Sequence, residues 1–225
     1  MKKVLFLLIA VAVLAATIPA QEERYLKPVD EASQDPTFLA FRTNLIAAVD
    51  RKDAAYIYSI VDPKIRNGFG DRDTIAWFKR DWKLENKNSK FWKTFAAVIK
   101  NGGAFWGEGV IKMNTFAAPF TYSNWPEDLD SFEYFVIFGT DVNLRDEPSS
   151  TGKVVAKLSH NIVKVEQETL PKSGRSEYPG WRKVKTLGGV EGFVKDDFVR
   201  SSVDYRAGFE KKRGKWMMTF FLAGD

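Results

Sequence analysis

One histidine, no cysteine and a scatter of carboxylates are what this chain brings to chemistry. A serine or cysteine nucleophile needs a neighbouring base, most often an imidazole. His160 is the one histidine, and it lies between strand-like runs, where a turn is expected. Without cysteine there is no thiolate nucleophile, no thiolate metal site and no disulfide. A single imidazole leaves only carboxylate-rich metal sites, and no cofactor is implied. "GFGDRD" (68–73) lacks the Lys-Ser/Thr ending of a phosphate loop and the spacing of a calcium loop. What remains is chemistry on paired carboxylates, as in glycoside hydrolysis. Asp71, Asp73 and Asp128 are the candidates, and Asp73 already has a sufficient role as a helix cap.

Those residues need elements to hold them. Asp35 and Pro36 predict the start of a helix whose apolar face carries Phe38, Phe41, Leu45, Ala48 and Val49. A short helix from Asp53 carries Tyr56, Ile57 and Ile60 and stops before Pro63. A third begins near Asp73 with Ile75, Trp77, Phe78 and Trp82. A fourth is capped by Ser89, carries Trp92, Phe95, Val98 and Ile99, and ends at "NGG". "WFKRDWKLENKNSKFWK" therefore reads as an amphipathic helix pair with Trp77, Trp82 and Trp92 turned to a core, not as a nucleic-acid surface. After residue 103 the period changes to short aromatic or β-branched runs separated by Gly, Pro and Asn.

The ends have their own character. "MKK", the apolar "VLFLLIAVAVLAA" and "TIPA" form a signal-peptide pattern over 1–20, with cleavage expected after Ala20. That apolar run is about thirteen residues, short of the about twenty needed to span a bilayer, so no stable anchor is expected. Of the +5 formal charge, Lys2 and Lys3 leave with the signal, and the remainder is too small to specify an anionic partner. Residues 21–35 read as an irregular lead-in. At the far end, residues 204–225 read as a hairpin turning at Arg213-Gly214, with Trp216, Met218, Phe220 and Leu222 on one face. Met217 and Phe221 make its other face apolar too, so both faces require cover.

Between these ends, Val142, Asn143, Leu144, Arg145, Pro148 and Ser149 form one block, Trp181 and Val184 a second, and Gly192, Phe193 and Val194 a third. With "VVAKL" and "IVKV" between them, the series over 136–201 resembles the bacterial SH3 (SH3b) domain family. The whole layout is similar to secreted bacterial proteins in which a helical region precedes such a module. The resemblance implies a small β-barrel, with Gly192 as a turn that lets Phe193 pack over its end. The loop 166–180 is longer than that family's pattern. Cell-wall peptidases that carry these modules pair Cys with His, and that class is excluded here.

The expectation is thus an α+β chain: signal peptide 1–20, a mostly helical domain 21–134, an SH3b-like barrel 135–201 and a hairpin 202–225 that returns to the helical domain. The expected function is non-catalytic binding, in the periplasm or outside the cell, of a cell-wall peptide or envelope protein segment. Tyr178, Trp181, Arg145 and Glu147 are the expected ligand-binding residues, because rigid rings and charged rims suit extended peptides. Two other readings stand beside it: an envelope enzyme with carboxylates in the N-terminal domain, and a small-molecule pocket protein.

Overall fold

The computed structural model describes residues 22–107, 114–166 and 178–224. The segment 1–20 and most of the loop 166–180 lie outside the described residues. The rest is α+β, with helices gathered against a five-stranded sheet and a second, seven-stranded sheet following in sequence.

Helix α1 (Pro36–Asp50) is capped by Asp35, whose carboxylate accepts from the amides of Thr37 and Phe38 at 2.7 and 3.0 Å. Burial alone raises the Asp35 pKa, but these bonds, the Thr37 hydroxyl and the Lys211 charge outweigh it and hold the carboxyl below its usual range. A depressed carboxyl stabilises the fold above its unfolded pKa of about 3.9 and loses that contribution as pH falls through the lower folded value. Asp35→Ala is expected to cost about 1 kcal/mol at pH 7. The gap between variant and wild type in urea melts should close as pH falls below about 4; a gap independent of pH contradicts the charged cap.

Helix α2 (Ala54–Ile60) is capped by Asp53 and α4 (Lys90–Ile99) by Ser89, as expected. Helix α3 (Ile75–Trp82) corrects two expectations. Its cap is Thr74, whose hydroxyl accepts from Trp77 N. Asp73 instead accepts from Asn67 N at 3.1 Å and closes the 67–74 loop, so the cap passes to the next residue. Ile75, Phe78 and Trp82 form the inward stripe. Trp77 falls off it and is half-buried between Arg72 and Arg80, 5.0 and 3.4 Å from its ring centre.

The five-stranded sheet contains β1 (Val61–Arg66), β2 (Ala104–Phe105), β3 (Thr115–Ala118), β11 (Arg206–Lys212) and β12 (Lys215–Leu222), in the order β1-β12-β11-β3-β2. Strand β1 is an addition to the sequence reading, which stopped at Pro63. An edge strand tolerates a proline because only one side needs donors, and β1 pairs with β12 alone. "TFAAPFTY" divides, with β3 followed after Pro119 by the short helix α5 (Phe120–Ser123). The hairpin β11–β12 occupies the middle of the sheet, pairing with β1 on one side and β3 on the other.

Its facing differs from simple alternation. Gly208 pairs with Phe220 and Phe209 with Met218, so Thr219 is an extra residue in β12. Such a bulge reverses which side chains point inward. Trp216, Met218 and Phe221 enter the helix-covered core, while Phe220 and Leu222 line a cleft that none of those three borders. At the core's centre the Phe38 ring meets Phe105, Phe116, Phe209 and Trp216 with centroids 4.1–5.9 Å apart.

The second sheet contains β4 (Tyr134–Ile137), β5 (Val142–Arg145), β6 (Val154–Leu158), β7 (Ile162–Val165), β8 (Trp181–Thr186), β9 (Glu191–Lys195) and β10 (Val199–Arg200), in the order β10-β4-β7-β8-β9-β5-β6. All its pairings are antiparallel. Val142, Leu144, Val184 and Val194 alternate into a core with Ile137, Leu158, Val163 and Val165. Gly192 lies within β9, not at a turn. A Cβ there would come within 2.5 Å of Arg145 O and 2.8 Å of Leu144 Cγ, so the glycine serves the close approach of β5 and β9.

The irregular lead-in ties the two sheets together. Leu26 N donates to His160 O and Ile162 N to Arg24 O, while Gly103 N donates to Val29 O. Arg42, buried on α1, grips Asp30 of this strap at 2.6 and 2.8 Å and donates to Ile99 O at the end of α4. One guanidinium thereby pairs with a carboxylate and satisfies an orphan helix carbonyl.

Candidate functional site

Cross-strand register decides which side chains share the outer face of the seven-stranded sheet. Arg145 stands opposite Phe193, which stands opposite Lys183, and Trp181 stands opposite Lys195. Since directly paired residues project to the same side, Arg145, Phe193, Trp181 and Lys195 share that face. Arg145 and Trp181 line a groove of about 310 Å³ together with Asp141, Asn143, Lys195 and Phe198. Phe198 is 41% exposed. The Lys195 ammonium lies 5.9 Å from the Trp181 ring centre. Arg145 also donates to Gly152 O and so braces the β5–β6 loop.

The other two expected residues are placed differently. Tyr178 is half-buried, with its ring edge-on to Phe193 at 5.0 Å, beside the groove and not in its lining. Glu147 is exposed on the β5–β6 loop, outside the groove lining. Lys195 and Phe198 are lining residues that the sequence reading missed. Their signal was weak: "VKDDF" follows the Gly192-Phe193-Val194 block, and only strand register brings it back beside Trp181.

The candidate carboxylates disperse. Asp128 makes a two-point ion pair with Arg24 at 2.6 and 2.9 Å, which holds its carboxyl below the usual range. Asp73 serves the 67–74 loop. None of Asp71, Asp73 and Asp128 lines any of the five clefts described. Among the described residues, no three His, Asp or Glu side chains converge as a metal ligand set.

His160 occupies the turn between β6 and β7 with φ +58°. It borders a mostly apolar cleft of about 330 Å³ at the junction of the sheets, with Pro28, Val29, Lys100, Phe120 and Phe138. Burial pushes its pKa down, and its Nδ1 is sealed from solvent without a hydrogen-bond partner. The charged groups at this cleft are already engaged, Lys100 with Asp50 and Asp30 with Arg42.

Comparison with protein-family models, with curated proteins and with solved structures finds no match to this chain.

Proposed function

We propose that the chain is a non-catalytic binding protein of the bacterial envelope or secreted space, with an SH3b-like recognition face on its seven-stranded sheet. The observation that carries this is the groove itself, with the Trp181 and Phe198 rings beside the cationic Arg145 and Lys195. Aromatic walls supply contact area at low entropic cost, and a guanidinium with an ammonium favours carboxylates. A cell-wall peptide, or a protein segment bearing acidic groups, fits both demands. That the candidate carboxylates line no cleft weighs towards binding and away from hydrolysis. The apolar junction cleft beside His160 favours a second reading, a small-molecule pocket protein.

The test is sedimentation of the purified chain with isolated cell wall and with acidic peptides. Arg145→Glu and Trp181→Ala should weaken retention at least about tenfold, equivalent to about 1.4 kcal/mol. Circular dichroism would verify that each variant stays folded, since Arg145 also braces a loop. Wild-type retention by both folded variants places the ligand elsewhere. Tyr178→Ala reports the groove's margin, and a folded variant that binds as wild type removes Tyr178 from the site.

A further inference from the structure

The bulge at Thr219 leaves Phe220 on the face of the five-stranded sheet away from the main helical core. Its ring lies across β11 because residue 208 is glycine; a Cβ there would stand 2.0 Å from Phe220 Cε1. Around it gather Tyr122, with ring centres 6.1 Å apart, and Trp106, 5.7 Å from Tyr122. Phe69 completes the group. Trp106 and Phe69 are 52% and 51% exposed, high values for large rings. The cleft they line is about 200 Å³, room for one ring and not for a polymer segment.

Two guanidiniums border this cleft. Arg206 is only 6% exposed and is fixed by donation to Val203 O and Gly224 O at 3.0 and 2.8 Å. It lies 4.9 Å from the Tyr122 ring centre and 5.9 Å from that of Phe69. Arg66 is exposed and stands 5.9 Å from the Phe69 ring. Neither arginine has an ion-pair partner among the described residues, and none of the described residues that line the cleft is Asp or Glu. A buried cation without a counter-charge among the described residues, next to an exposed one and two exposed rings, describes a site short of an anion.

We propose that this cleft binds a small monocyclic carboxylate, its ring against Phe69 and Trp106 and its carboxylate towards Arg66 and the edge of Arg206. Bidentate guanidinium–carboxylate geometry selects the anion and the ring faces select its body. An aromatic acid and an acidic sugar share this chemistry. Calorimetric titration of the full chain with benzoate and with glucuronate separates them, with benzyl alcohol and glucose as neutral controls. Saturable binding of either acid, at least tenfold tighter than its neutral control, is expected. Arg66→Ala and Trp106→Ala, both at exposed positions, should each weaken it severalfold or more. Arg145→Glu should leave it unchanged, which keeps this cleft distinct from the peptide groove. No binding of either acid, equal binding of the neutral controls, or indifference to Arg66→Ala overturns the proposal.

Discussion

A chain ending at Ser202 is expected to lose its helical layer while strands β4–β10 remain folded. The missing segment supplies β11 and β12, the two strands between β1 and β3, so their removal separates what is left of the sheet. It also removes Phe209, Trp216, Met218 and Phe221 from the core that covers Phe38, Phe91 and Phe95. At about 1.5–3 kcal/mol for each fully buried large side chain, four of them amount to roughly 6–12 kcal/mol. That is comparable with the whole stability of an ordinary domain, about 5–15 kcal/mol. The core beneath the second sheet (Ile137, Val142, Leu144, Leu158, Val163, Val165, Val184 and Val194) contains no residue of the hairpin. Hydrogen exchange should therefore show amides of α1 and α4 exchanging freely in the shortened chain, with β5, β7 and β8 still protected. Wild-type protection in α1 and α4 would falsify the central role given to the hairpin.

The elements legible in the sequence were those whose signals are local. Asp35-Pro36 and Ser89 mark helix starts because a cap acts within one turn, and Val142 and Leu144 reveal an inward face by alternation alone. Strand β1 was not legible, because its parallel partner lies about 150 residues away and Pro63 locally argues against a strand. Nor was the bulge, since "MMTFF" is apolar enough to satisfy either facing. The apolar character of both hairpin faces was the one hint that something more than the helical core would meet it. In the groove, Arg145 and Trp181 were singled out through the family resemblance of their blocks, and the structure sets both in one lining. Lys195 and Phe198 join them only through cross-strand register. The second cleft draws on five separate stretches of chain, around Phe69, Trp106, Tyr122, Arg206 and Phe220, and no window of sequence contains enough of it to be recognised. Arg42 was missed for another reason: a guanidinium on an apolar helix face reads as surface until a distant carbonyl, Ile99 O, claims it.

The second large effect separates two tryptophans that the sequence places alike. Trp92 is 4% exposed, lies edge-on to Phe91 at 5.3 Å and donates from Nε1 to Asn86 O at 3.2 Å. Trp92→Ala leaves a ring-sized cavity and takes the donor from that carbonyl, so it should cost about 3–5 kcal/mol. Trp77 contributes chiefly through its contacts with Arg72 and Arg80. Cation–π contacts near the surface are worth about 0.5–1 kcal/mol each, so the loss of two from half-buried Trp77 should cost roughly 1–2 kcal/mol in Trp77→Ala. For a chain of this size each kcal/mol moves the melting temperature by about 2–4 °C, which predicts a fall of roughly 6–20 °C for Trp92→Ala and a smaller one for Trp77→Ala. Urea titration of the two variants, compared at equal slope, measures the difference directly. Equal losses in both variants would return Trp77 to the core and contradict the helix register of α3. An unchanged midpoint for Trp92→Ala would contradict its place in the packed layer.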